Sequence, residues 1–181
     1  MAMLPSPRTW TVGELLTASK LNTDLRDGLN FLLAPPLAML VKSGTQSIPN
    51  NTATAVTWET EQIDRDGGHS TSSQTSRYVC QTTGWYQIVG TVRWTNLVTG
   101  GELRAAQFRK NGSSYLPGSS NATKSGATSV YTVQVVTTLV QLVVSDYVEL
   151  IVQQDSGGAM NVLDTWNSGP DTNMCVRWVS A

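Results

Sequence analysis

Few residues in this 181-residue chain have the types and spacing that catalysis needs. The single histidine, His69, lies in a polar loop at residues 64–74, and any Ser–His–Asp arrangement would have to use it. No serine sits in the strand–turn–helix pattern of a nucleophile elbow. Glu59 and Glu61 could act as general acid and base, but alternate strand positions place both on one face, which is most simply a solvent face. We therefore predict that the protein is not an enzyme.

Metal-ligating residues are equally sparse. Asp64 and Asp66, followed by glycine, resemble the start of a calcium loop, but the further oxygen ligands and the distal glutamate are missing. Calcium held by backbone carbonyls stays open as an alternative. His69, Cys80 and Cys175 are too few for a four-ligand zinc site. We predict no metal and no cofactor, and we expect the two cysteines to be small core side chains rather than a disulfide.

One group of residues has the chemistry of carbohydrate recognition, in which an aromatic face stacks on the sugar and amide or carboxylate groups bind its hydroxyls. The group lies in the last long loop, between Gly157-Gly158 and the terminal strand. Its predicted ligand-binding residues are Asp164, Trp166, Asn167, Asp171 and Asn173. An alternative is that Trp166 is tucked into the protein, as loop tryptophans often are.

The elements that must position these residues are mainly strands, as the composition indicates. The chain has 12 Lys and Arg against 13 Asp and Glu, only 14% charged residues, and 23 Thr with 18 Ser. Thr and Val favour pleated, half-buried surfaces, whereas Ser, Asn and Gly favour turns. The balanced charge argues against a nucleic-acid partner, and no apolar run approaches the roughly 20 residues that insert into a membrane.

Residues 1–36 differ from the rest, and we predict that they form an extended segment and a helix that anchor the protein. Thr11 and Glu14 have the spacing of a capping box, Thr17 or Ser19 offers a second cap, and the prolines at 35 and 36 end the helix. Leucines at steps of three and four make one apolar stripe along about four turns. The predicted assembly residues are Trp10, Leu21, Leu25, Leu29 and Leu32. Alternatively the stripe packs on the protein's own β domain, or pairs with copies of itself.

Residues 37–181 are predicted to form one antiparallel β-sandwich of jelly-roll type, because eight to ten short strands follow one another with turn signals between them and no further helix. The pair Asn111-Gly112 is the clearest hairpin signal, since a type I′ turn needs positive φ at both central positions. The predicted strands or strand pairs are 37–41, 55–63, 77–82, 85–94, 103–110, 130–144, 147–153 and 174–179.

The run from Val130 to Val144 carries apolar groups on both faces instead of alternating. A strand that is apolar on both sides is covered on both sides, and in a sandwich the outer cover is often a neighbouring subunit. We therefore predict an oligomer whose interface includes Val133, Val135, Val136 and Tyr147.

Three stretches of the chain resemble the complement-C1q and tumour-necrosis-factor superfamily of trimeric jelly rolls. They are Thr83-Gly84-Trp85-Tyr86-Gln87-Ile88-Val89-Gly90, the segment Leu142–Leu150 with its Ser145-Asp146 turn, and Phe108-Arg109-Lys110-Asn111-Gly112. Their order along the chain also agrees. Ser145 stands where the family most often has glycine, and Met174-Cys175-Val176-Arg177-Trp178 replaces a phenylalanine-rich late strand. The resemblance implies a C1q/TNF-like homotrimer over about residues 40–181.

The N-terminal segment is similar to the opening of small virion proteins of tailed phages that infect actinobacteria. The shared features, in order, are Trp10, the Gly13-Glu14 pair, the Thr17-Ala18 cap, Leu21-Asn22 and Arg26-Asp27. This resemblance implies that residues 1–36 bind other virion proteins, in the capsid or the tail, and that the protein lies on the virion surface.

These features lead us to expect a non-enzymatic virion protein with a trimeric head, and they leave three roles open. The head could bind a host-surface glycan, as in a minor tail protein that mediates host adhesion. It could instead be a capsid decoration or head fibre with a purely structural role. Less favoured is a secreted C1q-like binding protein, for which Asn50, Asn111 and Asn121 would be glycosylation sites.

Overall fold

The structure is a computed structural model that describes residues 6, 8–95, 103–124, 131–166, 169–170 and 172–181. For residues 123–124, 165–166 and 169–170 it describes the backbone. The described chain is an N-terminal helix followed by a two-layer antiparallel β-sandwich, which confirms the predicted fold class.

The N-terminal helix is continuous from residue 18 to residue 33 but changes its winding on the way. It consists of α1 (Ala18–Leu21), a π-helical stretch (Asn22–Arg26) and α2 (Asp27–Leu33). Thr17 is the N-cap, and its hydroxyl accepts a hydrogen bond from the Lys20 N–H. The helix ends where Ala34, which precedes a proline, turns to φ −140°. The second of the predicted caps therefore starts the helix.

The predicted capping box at Thr11 forms its contacts without starting a helix. The Thr11 N–H and hydroxyl both donate to the Glu14 carboxylate, and the Glu14 N–H donates back to the Thr11 carbonyl, in an isolated turn. Gly13, at φ +81°, breaks the helical path between them. A helix start at Thr11 is thus not observed, because the turn closes on itself.

The first sheet has seven described strands, which are β1 (Leu37–Val41), β2 (Gln46–Ile48), β4 (Thr60–Asp64), β6 (Gly84–Trp94), β10 (Thr132–Leu142), β12 (Met160–Val162) and β15 (Asn173–Ser180). Their main order across the sheet is β10–β6–β15–β1–β4. β12 pairs with the end of β6 on the edge that β15 also occupies, and β2 pairs with β12.

The second sheet packs against the first and is centred on two paired long strands. Its strands are β3 (Thr54–Ala55), β5 (Arg77–Val79), β7 (Leu103–Lys110), β8 (Ser114–Tyr115), β9 (Asn121–Lys124) and β11 (Tyr147–Gln154). A separate two-stranded ribbon joins β13 (Thr165–Trp166) to β14 (Gly169–Pro170).

The turn after β7 confirms the Asn-Gly prediction. Asn111 has φ +51° and Gly112 has φ +73°, and the Ser113 N–H donates to the Lys110 carbonyl across the turn. Glycine suits residue 112 because of this backbone angle, and a Cβ there would also have to displace the nearby Tyr147 hydroxyl.

The core lies between the two sheets and contains five aromatic side chains. Its largest fully buried members are Trp58, Trp94, Tyr78, Tyr86, Phe108, Leu40, Ile48, Ile88, Leu142, Leu150 and Met174. Both cysteines are free thiols. Cys80 is buried in this core as expected, whereas Cys175 lies half-buried on the other side of the first sheet.

Candidate interaction surfaces

Asp64 and His69, two residues of the polar loop, form hydrogen bonds to the protein backbone. Both oxygens of Asp64 accept backbone N–H groups, from Gly68 at 3.1 Å and His69 at 2.9 Å. The His69 ring lies between the carbonyl oxygens of Arg77 (2.8 Å) and Trp58 (3.2 Å), so its nitrogens contact the protein's own backbone. Because both oxygens of Asp64 already accept hydrogen bonds from loop N–H groups, this carboxylate is poorly suited to bind calcium.

Glu59 is likewise held by its neighbours. It receives the buried Lys42 ammonium at 2.8 Å and the Thr57 hydroxyl at 2.8 Å. Burial raises the pKa of Glu59, but these hydrogen bonds and the Ser43 N–H outweigh it, so the net pKa lies below the usual value. Among the described residues, no three His, Cys, Asp or Glu side chains come together as a metal site. None of the described helices is both long enough and apolar enough to span a bilayer.

The free face of the first sheet is an exposed apolar surface, which we call the β10 face. On β10 the side chains of Val133, Val135 and Leu139 point away from the core and are 55%, 54% and 58% exposed. The strand register continues this surface across the sheet. The partly buried or exposed apolar residues Val89 and Trp85 on β6, Cys175 and Val179 on β15, and Met39 on β1 complete it.

Exposed apolar area of this extent on a sheet usually marks a protein–protein contact. β10 is also the edge of the first sheet, so within the described residues its outer edge has no strand partner. One of its carbonyls, that of Val135, is capped by the Asn121 amide at 3.2 Å. A second subunit can therefore pack on the apolar face and also pair with the free edge of β10.

Two residues predicted for the interface lie elsewhere. Val136 points into the core of its own subunit and is 3% exposed, so its assignment to an interface is wrong. Its side chain lies on the opposite side of the strand from Val135 because successive residues of a strand alternate in direction. Tyr147 belongs to the second sheet, where the Arg77 guanidinium covers its ring at 3.9 Å, so it is not part of the β10 face.

The N-terminal segment presents a second apolar surface. Trp10, Leu21 and Leu25, three of the predicted assembly residues, line one groove of about 300 Å³ together with Leu16. The other two, Leu29 and Leu32, are exposed further along the helix. The stripe is thus not covered by the described part of the protein's own sandwich.

Charged residues brace this segment. Glu14 forms ion pairs with Arg8 and Lys20, and Arg8 also reaches Asp24 at 3.3 Å and lies over the Trp10 ring at 4.9 Å. The Lys20 hydrogen bond, followed by that of the Thr11 N–H, lowers the pKa of Glu14 to about 2. Its carboxylate is therefore charged throughout the physiological range.

Phe31 is a contact residue that the leucine pattern did not identify. It is 4% exposed and packs edge-on against Trp178 of β15, where it joins the helix to the sandwich. The sequence does offer one sign of this contact. Phe31 lies four residues before Pro35-Pro36, after which the chain enters the first sheet at Leu37. The Trp178 N–H donates to the Pro36 carbonyl at this junction.

The predicted sugar-binding residues fall around the separate ribbon. Its strands place Trp166 opposite Gly169, while Asp164 precedes the ribbon and Asn173 follows it at the start of β15. Asp164 and Asn173 are half-buried. Asn167 and Asp171 lie outside the described residues, so their arrangement around Trp166 stays a prediction.

Comparison with known proteins supports the fold through structure alone. No protein-family model matches the sequence, and no curated protein does. The TNF Eiger from S. frugiperda superposes with a TM-score of 0.57 at 13% identity, over 80% of this chain and 94% of that one. Murine APRIL gives 0.56 at 16% identity, over 80% of this chain and 98% of that one. The fold is a TNF-like jelly roll. The globular domain of zebrafish complement 1qA gives 0.47 at 15% identity, over 78% of this chain and 92% of that one.

The TNF-like head explains how the surfaces are arranged. Because jelly-roll strands alternate between two sheets, the long strands β6, β10 and β15 come together in one layer although they are far apart in sequence. The same layer carries both the β10 face and the Trp178 contact of the N-terminal helix. The two lie on opposite faces of that layer: the β10 face points outward, whereas Trp178 pairs with the buried Tyr86 and packs against the core.

Proposed function

We propose that the protein is a non-enzymatic virion protein whose TNF-like head forms a homotrimer through the β10 face and whose residues 1–36 bind another virion protein. The single observation that carries the proposal is the pair of uncovered apolar surfaces: the β10 face and the leucine-lined groove with its helix. Two surfaces on different elements can serve two partners, one a copy of the chain and one a different protein.

The β10 face supports self-association because it meets the requirements of a subunit interface. Val135 and Leu139 are exposed on the edge strand, and the polar side chains of Gln87 and Arg177 lie beside Leu139 in the same row of the sheet. Interfaces commonly combine apolar and polar groups of this kind. We infer that the oligomer has three subunits from the resemblance to the C1q/TNF superfamily.

We place the protein on a virus particle because its N-terminal segment resembles phage virion proteins and carries exposed leucines. An isolated helix of four turns is marginal in water, so covering its apolar stripe with a partner would stabilise it. We expect this partner to be a capsid or tail protein, and the head to project at the virion surface.

Mass photometry of the full chain tests the assembly. We expect a particle of three times the 19.5 kDa subunit mass. Val135→Lys with Leu139→Lys should give folded monomers, because two ammonium groups would be buried in the contact. Tyr115→Lys, at an exposed position of the second sheet, is the control and should stay trimeric. A trimeric double variant would refute the assignment of the β10 face.

Co-sedimentation with purified particles tests the anchor. Leu25→Asp with Leu29→Asp should abolish binding of the full chain while the head stays folded by circular dichroism. Asn22→Asp with Asn30→Asp adds the same charge at exposed polar positions of the same helix and should still bind. If both variants sediment with the particles, residues 1–36 are not the anchor.

Host-glycan adhesion is a second role for the same head, favoured by the ribbon that carries Trp166. β13 and β14 pair with each other and with no other described strand, so Trp166 lies on a small hairpin beside the sandwich. A glycan array with the full chain and with Trp166→Ala distinguishes adhesion from decoration. Binding that this substitution abolishes supports adhesion, whereas no binding to any glycan favours a structural role.

A further inference from the structure

A polar pocket lies at the loop between β4 and β5, away from the β10 face and from the Trp166 hairpin. Its volume is about 260 Å³. The groups that line it are mainly hydrogen-bonding side chains and glycine backbone, from Gly68, Ser70, Ser73, Gln74, Arg77 and Gln81. β4 and β10 are at opposite edges of the first sheet.

The walls of the pocket are already held in place. Asp64 binds the N–H groups of Gly68 and His69, and the Gly68 carbonyl accepts the Val79 N–H at 2.6 Å. The Tyr78 ring packs so closely on Gly68 that a Cβ there would overlap the ring. A ligand entering such a preformed pocket orders little of the chain, which favours binding.

The pocket is rich in donors, and Arg77 is the one charged side chain among its described lining residues. Arg77 and Arg109 share the Glu149 carboxylate at 3.4 and 3.3 Å, and the Asp64 carboxylate lies behind the pocket on the N–H groups of Gly68 and His69. Within the described residues the Nη2 group of Arg77 makes no hydrogen bond, while its Nη1 group binds Gln74 and its Nε group binds Glu149. None of the described lining residues is acidic.

We propose that this pocket binds one acidic sugar unit, with the ligand carboxylate at Arg77 and the ligand hydroxyls at Ser70, Ser73 and Gln74. A guanidinium group is suited to a carboxylate by charge and by its planar donors. The volume is below the roughly 300–1,000 Å³ of pockets for drug-sized ligands, so a single ring fits better than an oligomer. Binding in this pocket requires neither trimer formation nor attachment to a virion.

NMR titration of the full chain with sodium glucuronate tests the proposal. We expect saturable millimolar binding, with shifts confined to residues 67–81, and markedly weaker binding of glucose and of acetate. Arg77→Gln should weaken glucuronate binding at least about tenfold, as expected when a charge-assisted contact is lost. Arg109→Gln is the matched control: it removes the other partner of Glu149 but does not line the pocket, and it should change the affinity less than about twofold.

Unchanged affinity in Arg77→Gln, or no saturable binding by the natural sequence, would overturn the proposal. Equal binding of glucose would overturn the role of the charge, and equal binding of acetate would overturn the role of the ring. If Arg77→Gln does not fold, Gln74→Ala and Ser73→Ala take its place with the same expected direction. Glycan binding that Trp166→Ala abolishes while glucuronate fails would leave the adhesion role intact and refute only this pocket.

Discussion

Phe31 meets Trp178 edge to face, with ring centroids 4.8 Å apart and an interplanar angle of 89°. Edge-to-face geometry brings the positive rim of one ring to the negative face of the other. The contact buries one aromatic side of a helix whose leucines stay exposed. The N-terminal helix is thus attached to the TNF-like head at its C-terminal end, and its leucine stripe stays available to a partner.

Replacing Phe31 by alanine should free the helix while leaving the head folded. We expect faster amide hydrogen exchange over residues 18–33 and a loss of only about 1 kcal/mol in the free energy of unfolding, the scale of an aromatic pair. Leu32→Ala, at a 66% exposed position of the same helix, should change neither. A loss of about 3–5 kcal/mol, typical of a core phenylalanine, would mean that the helix is part of the head's own core.

The two faces of β10 should respond differently to truncation. Val136→Ala removes two methyl groups from the core and should lower the free energy of unfolding of the monomeric head by about 2 kcal/mol. Val135→Ala, one residue earlier on the exposed face, should cost less than about 0.5 kcal/mol. Urea unfolding in the Val135→Lys, Leu139→Lys background would give the first value, and in the Leu139→Lys background the second. Equal losses would contradict the orientation of this strand.

Asp146 should stabilise the protein at neutral pH and cease to do so in acid. Burial opposes its charge, but hydrogen bonds from Lys110, Asn111 and the Val143 N–H outweigh burial and lower its pKa. A lowered pKa in the folded state contributes stability above the unfolded pKa, which is lost as the pH falls through the folded pKa.

We therefore expect Asp146→Asn to cost about 1–3 kcal/mol at pH 7, the scale of hydrogen bonds to a charged group. The difference from the natural sequence should shrink as the pH falls below the usual aspartate range. Chemical unfolding at a series of pH values measures it, with the exposed Asp27→Asn as control. A cost that does not change with pH would show that the charge of Asp146 contributes nothing.

Asp66 should behave in the opposite way. Burial raises its pKa, although the Tyr78 hydroxyl donates to its Oδ2 at 2.8 Å and lowers it in part. A raised pKa means that stability is greatest below the unfolded pKa and is lost as the pH rises through the folded pKa. Asp66→Asn keeps an acceptor for Tyr78 without the charge, so it should be at least as stable as the natural sequence at pH 7. A less stable Asp66→Asn at pH 7, with normal stability in acid, would show that the charged form is favoured.

The sequence by itself determined the elements whose causes are local. The Asn111-Gly112 turn needs only two residues that tolerate positive φ, and the helix end needs only the prolines after Ala34. The periodicity of residues 37–181 also predicted an antiparallel sandwich and most of its long strands. The prediction of a helix start at Thr11 was wrong because the capping contacts form locally, but Gly13 interrupts the helix that should follow them.

Only the tertiary structure decided which face of a strand is core. On β10 the inward residues include Gln134 and Thr138, whereas Val133, Val135 and Leu139 point outward. Hydropathy would give the reverse order. Gln134 can be buried because Trp94 donates to its amide oxygen and its amide nitrogen reaches the carbonyls of Arg104 and Asn121. These partners come from other strands, so the cost of burying a polar group is decided by chain segments that no local pattern contains.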